Sequence, residues 1–83
     1  MYFVYILYSK EIDRDYVGQT YDVGLRLERH ALKTTRYTKQ ANDWELKYTE
    51  EYKTRSEAMK REKEIKKKKS RSYIEFLIQS SAD

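Results

Sequence analysis

Arg26 and His30 stand four residues apart in a stretch where Val23, Leu27 and Ala31 recur at helical spacing, so both side chains fall on one helix face. Arginine offers a planar fork of donors that fits phosphate oxygens, and histidine is the side chain best able to exchange a proton near neutral pH. The two describe a face that can hold an anion and move a proton on it, although a lone histidine is more often a satisfied boundary residue. Further along, Ala58, Glu62 and Ile65 fall at i, i+4 and i+7, which sets a carboxylate on an apolar stripe while Glu64 points elsewhere. A charge so placed needs a cation, a set of hydrogen-bond donors or an edge position reaching water. An ion pair with one of the 18 Lys and Arg residues meets that need, as does a metal ion, and spacing alone favours the ion pair. Tyr5 is central in one apolar run and Tyr16 opens the next, so hairpin pairing would bring the two phenols together. Most of the nine tyrosines, Tyr48 and Tyr52 among them, are expected to be packing material with hydroxyls at the rim.

The elements that must position these groups can be read from the pattern. Tyr2 to Tyr8 is rich in β-branched and aromatic residues on both alternating faces, the mark of a central strand covered on two sides. Asp15 to Gln19 is short enough to be its hairpin partner, and Gly18 signals a bend or a close backbone approach. Thr20 and Asp22 offer start signals for a helix to about Leu32. Residues 33–43 form a polar stretch too long for a simple turn, and loops of that length are often functional. Trp44 to Tyr52 then alternates as a third strand, with Trp44, Leu46 and Tyr48 on a buried face and Glu45, Lys47 and Thr49 on a wet one. Thr54-Arg55-Ser56-Glu57 is a capping box opening a second helix, and Ser72-Tyr73-Ile74-Glu75 is a candidate box for a third. The order β-β-α-β-α-α predicts an α+β domain with a small, mainly antiparallel three-stranded sheet flanked by helices.

Composition narrows the partners. A chain of 83 residues without proline, linker or repeat is expected to form one domain over residues 1–83. It has no cysteine, which removes disulfides, thiolate nucleophiles and Cys-based zinc sites. No apolar run approaches a membrane span and no leader pattern is visible, so a cytoplasmic address without membrane attachment is expected. The net charge is +4, and Lys60 to Arg71 carries eight of the 18 basic residues against Glu62 and Glu64. Such a stripe suits a polyanion, with nucleic acid ahead of anionic lipid, though a solvated helix face has the same composition. No Gly-rich phosphate loop is present, so no nucleotide cofactor is expected.

Taken together, these residues resemble the GIY-YIG nuclease superfamily. Phe3-Val4-Tyr5 stands where the family has Gly-Ile-Tyr, and Tyr16-Val17-Gly18 stands for Tyr-Ile-Gly. Arg26, His30 and the segment Ala58, Arg61, Glu62, Ile65 and Lys66 follow in the family's order, so the resemblance covers almost the whole chain. It implies a DNA endonuclease hydrolysing phosphodiester bonds with Mg²⁺ or Mn²⁺, similar to the nuclease module of branched-DNA-cleaving enzymes. Glu62 would hold the metal, Tyr5 assisted by Tyr16 would position or deprotonate water, Arg26 would stabilise phosphate charge, and His30 would orient water or shuttle a proton. Tyr5 and His30 are interchangeable as the base at this level. Arg36, Lys39 and Lys66 would contact substrate phosphates, favouring shape over sequence, with a protein partner as a further source of targeting. Phe3 replaces the family's first glycine, and Gln19 stands where many members carry lysine. The alternative expectation is therefore a non-catalytic nucleic-acid-binding module on the same fold.

Overall fold

The computed structural model describes residues 1–24 and 41–80. Three strands, β1 (Tyr2–Ser9), β2 (Arg14–Thr20) and β3 (Glu45–Tyr52), form one antiparallel sheet in the order β2-β1-β3. Two helices follow, α1 (Arg55–Lys68) and α2 (Arg71–Ser80), so the described order is β-β-β-α-α and the class is α+β. The helix expected after Thr20 enters the description at Val23 and Gly24, which are helical; its remainder, to Leu32, lies outside the described residues. Thr20 Oγ1 accepts from Asp22 N at 3.2 Å and donates to Asp22 O at the same distance, a local turn that redirects the chain out of β2.

The central strand is buried on both faces, as its composition predicts: Val4, Tyr5, Ile6 and Leu7 are all within 1% of full burial. Val4 and Ile6 join Val17, Ala58, Ile65 and Leu77 in a core beneath the two helices. Burying such side chains contributes about 1.5–3 kcal/mol each, before chain entropy is set against it. Alternation sends Tyr5, Leu7 and Ser9 to the opposite face, where all three are buried.

β3 departs from the simple alternation. Ile6 pairs with Tyr48 while Leu7 pairs with Leu46, so Lys47 is the extra residue of a bulge. The slip swaps faces: Tyr48, Glu50 and Tyr52 turn toward the helices, whereas Leu46 is 39% exposed. Trp44 precedes the strand.

Thr54 caps α1 as the capping box predicts, its Oγ1 accepting from Glu57 N at 3.2 Å and donating to Glu57 Oε1 at 3.0 Å. The helix ends at Lys69, which adopts the left-handed conformation (φ 46°, ψ 34°) and donates its N–H to Lys66 O. The cap of α2 is Ser70, two residues ahead of the predicted Ser72, with Ser70 Oγ accepting from Tyr73 N at 3.2 Å. The earlier serine wins because the chain re-enters helix immediately after the Lys69 turn. Asp13, at φ 52° in the β1–β2 hairpin, clips this helix end to the sheet: Arg71 grips its carboxylate with both terminal nitrogens, and Tyr8 donates to it at 2.6 Å. No helix among the described residues is long and apolar enough to cross a membrane.

Candidate active site

The β1–β2 register sets Tyr5 opposite Gly18 and Leu7 opposite Tyr16, so both phenols occupy the face away from α1 and α2. Their ring centroids are 6.2 Å apart with planes inclined at 36°. Trp44 meets Tyr16 edge-on at 6.4 Å. Tyr5 is only 1% exposed, and its ring lies across Gly18: a β-carbon there would come within 2.5 Å of the Tyr5 hydroxyl oxygen and 3.1 Å of Tyr16 Cε1. Gly18 is thus the close approach its presence in a strand predicts, a slot that fixes where the phenol ends.

The return of the chain to this face is fastened by residues the sequence did not single out. Buried Ser9 donates to Asp43 Oδ1 at 2.6 Å, Glu11 N donates to Asp43 Oδ2 at 2.9 Å, and Asn42 N donates to Glu11 Oε2 at 3.0 Å. The Ser9 hydroxyl, aided by backbone donors, holds the Asp43 carboxyl below its ordinary value. Trp44 follows directly, so these bonds bring its ring to Tyr16.

α1 presents different chemistry on its two flanks. Arg61 reaches β3, where its Nε and Nη2 bind the two oxygens of Glu50 at 2.9 and 3.1 Å. Tyr48 and Tyr52 donate to the same carboxylate, Glu64 takes Arg61 Nη1 at 2.7 Å, and the guanidinium lies over the Tyr73 ring. Burial alone would raise the Glu50 pKa, but the bonds from Arg61, Tyr48 and Tyr52 outweigh it and leave the group below its ordinary value. Burial and the Glu50 carboxylate push both Tyr48 and Tyr52 up to about 12. Both rings pack against the core as expected of them, and their hydroxyls in addition complete a polar hub. Tyr48, Glu50 and Tyr52 at i, i+2 and i+4 carry the signal, hidden by a bulge that reverses which face is covered.

Glu62 lies on the other flank with a side chain 20% exposed, and its partner among the described residues is Lys66 Nζ at 3.4 Å. Lys66 lines a cavity shared with Asp15, Tyr16 and Val17, which places the Glu62–Lys66 flank toward β2. Within the lysine run, Lys66 and Lys69 face that cavity while Lys68 sits 4.9 Å above the Tyr73 ring. The structure therefore brings Tyr5 to Tyr16, and Glu62 to Lys66. Arg26, His30, Arg36 and Lys39 lie outside the described residues. Among the described residues no three His, Asp or Glu side chains gather as a metal cage.

The fold is a small α+β domain whose hairpin holds Tyr5 and Tyr16 against a strand glycine on one face of the sheet, with Glu62 on the flank of α1 turned toward β2. The chain belongs to the GIY-YIG family: the model of the GIY-YIG catalytic domain matches residues 1–74. Family membership supports an endonuclease-type function, with nucleic acid as substrate. Similar proteins include UPF0213 proteins of Staphylococcus aureus strains Mu50 and COL, each 42% identical over 66 residues, which cover 78% of this chain and 79% of the relative. No solved structure matches.

Proposed function

We propose that the protein is a divalent-metal-dependent endonuclease that hydrolyses phosphodiester bonds in DNA and selects its substrate by structure. The observation that supports it most is the Tyr5–Gly18 contact, in which the phenol fills the space a β-carbon would take and is held in place beside Tyr16. Fixed donors and acceptors cost no reorganisation when charge develops, which is how such groups accelerate reactions. Tyr5, with Tyr16 beside it, positions the attacking water and helps remove its proton; a phenol does this only next to positive charge. Arg26 stabilises charge on the scissile phosphate and His30 orients water or carries a proton away. Glu62 holds Mg²⁺ or Mn²⁺, which when bound polarises the phosphate and lowers the cost of negative charge on the leaving oxygen. Lys66, Arg36 and Lys39 contact the phosphate backbone without reading bases. The 83 residues act as one nuclease domain in the cytoplasm, in DNA repair or recombination, with a protein partner contributing targeting.

The test is cleavage of labelled duplex, single-stranded, flap and four-way-junction DNA with Mg²⁺ or Mn²⁺ by wild type, Glu62→Gln and Arg26→Ala. Metal-dependent cutting lost in both variants supports the reading. Folded protein that binds these substrates and cuts none replaces it with the non-catalytic module. Cutting that survives both substitutions removes the assigned site.

A further inference from the structure

A cavity of about 480 Å³ opens between β2 and the turn joining α1 to α2. Its floor is apolar, with the half-buried Ile74 offering its surface over the buried Val17 and Ile65, and its rim is cationic, made by Arg14, Lys66 and Lys69. Arg71 also lines it but is committed to Asp13, whereas Arg14 and Lys69 form no salt bridge among the described residues. Tyr16 borders one side, and Lys66 connects the rim to Glu62. Two non-glycine residues in the described chain have positive φ, Asp13 and Lys69, and both line this one cavity. At a helix end such as Lys69, glycine is the residue that adopts this conformation without strain. Lys69 adopts it with a side chain, and the residue lines the cavity.

The chemistry of the walls selects the occupant. Phosphates alone would use the rim and leave the apolar floor wet, while an apolar ligand would leave the rim cations unused. A nucleotide has both parts, a base with two flat apolar faces and a phosphate on either side. A base inside a duplex is stacked and paired and cannot enter, so the nucleotide must come from an unpaired strand. We propose that this cavity seats an unpaired nucleotide of the substrate strand, base on the Val17–Ile65–Ile74 floor and phosphates on Arg14, Lys66 and Lys69. The carboxylates of Asp13 and Asp15 on the β2 side keep phosphates off that wall. The strand leaves past Tyr16 and Lys66 toward Glu62. This rests on the nuclease reading for the identity of the strand, and it gives structure selectivity a physical origin: a flap or branch supplies unpaired nucleotides and an intact duplex does not.

The experiment is binding in the presence of a chelator, so that nothing is cut, measured by fluorescence anisotropy for a blunt duplex and for the same duplex carrying a single-stranded flap. Wild type is expected to bind the flap about tenfold more tightly, the scale of burying one or two apolar groups together with a phosphate contact. Arg14→Glu with Lys69→Glu removes that preference, while Lys47→Glu with Lys53→Glu, an equal charge change at β3, weakens both DNAs alike. Lys69→Gly separates function from folding: it raises Tm by relieving the left-handed turn and still reduces flap preference severalfold. A wild type without flap preference, or groove and control pairs with equal effects, overturns the proposal. Loss of cleavage in a separate assay removes the nuclease reading but leaves this binding result standing.

Discussion

The hydroxyl of Tyr5 occupies the space where any residue but glycine at position 18 would carry its β-carbon, 2.5 Å away. Gly18→Ala must therefore push a fully buried ring or bend the hairpin. We expect a loss of about 1–3 kcal/mol in urea unfolding, together with a fall in cutting rate well beyond what the stability change accounts for. Tyr5→Phe in the Gly18→Ala background should recover part of the stability, because it removes the oxygen in the tightest contact. A Gly18→Ala protein as stable and active as wild type would show that the phenol has other room.

The Glu50 hub makes a second prediction. Arg61 and Glu50 have side chains only 17% and 18% exposed, so removing the cation strands a largely buried carboxylate. Arg61→Ala should cost about 2–4 kcal/mol, and Glu50→Gln less, since the amide still accepts from the two phenols. The Glu50 pKa lies below its ordinary value in the folded protein, so its contribution is present above the unfolded value and is lost as pH falls through the folded one. Wild type should therefore lose Tm more steeply in acid than Glu50→Gln. If the two acid limbs coincide, Glu50 does not supply this term.

At the alkaline end the sign reverses. Tyr48 and Tyr52 are raised to about 12, so their contribution is complete below the ordinary phenol value and disappears as pH rises toward 12. Ultraviolet titration should show two phenols ionising last. In Glu50→Gln those two should move down toward the rest.

The Asp13–Arg71 clip titrates separately. Bonds from Arg71 and then Tyr8 hold Asp13 at about 2 against an ordinary 3.8. Its stabilising effect is present above 3.8 and is lost as pH falls through about 2. Asp13→Asn, which tolerates the positive φ, should flatten the melting temperature of the folded protein across that window. A carboxyl titration by NMR that finds Asp13 at its ordinary value would remove the clip.

Glu62 behaves oppositely to Glu50. Its partner among the described residues is one lysine, 55% exposed, so Glu62→Gln should change stability by no more than about 0.5 kcal/mol. Under the proposed function the same variant loses metal-dependent cutting. A substitution that leaves the melt untouched and abolishes the product marks a residue kept for chemistry.

Much of this was legible in the sequence because it is local. Period-two burial gave β1, the Thr54 box gave the start of α1, and the helical spacing of Ala58, Glu62 and Ile65 gave a carboxylate at the margin of the core. What was hidden depends on register. One extra residue at Lys47 exchanges the faces of β3, and no pattern within that strand marks the slip, because Leu7 and Ile6 of the neighbouring strand define it. The Ser9–Asp43 bond joins positions 34 residues apart, and Ser70 displaces Ser72 as cap because of where the preceding helix stops. The hairpin half of the site follows from sequence through Tyr5, Tyr16 and Gly18; the hub that orients α1 does not.

The bulge at Lys47 also bears on how the protein behaves in a crowded solution. Among the described residues β3 is an outer strand, and an outer strand presents unpaired amides and carbonyls to any extended chain that meets it. A kinked backbone with Glu45 and Lys47 at its exposed start breaks the regular spacing such a chain would need, and so hinders edge-to-edge addition of a second molecule.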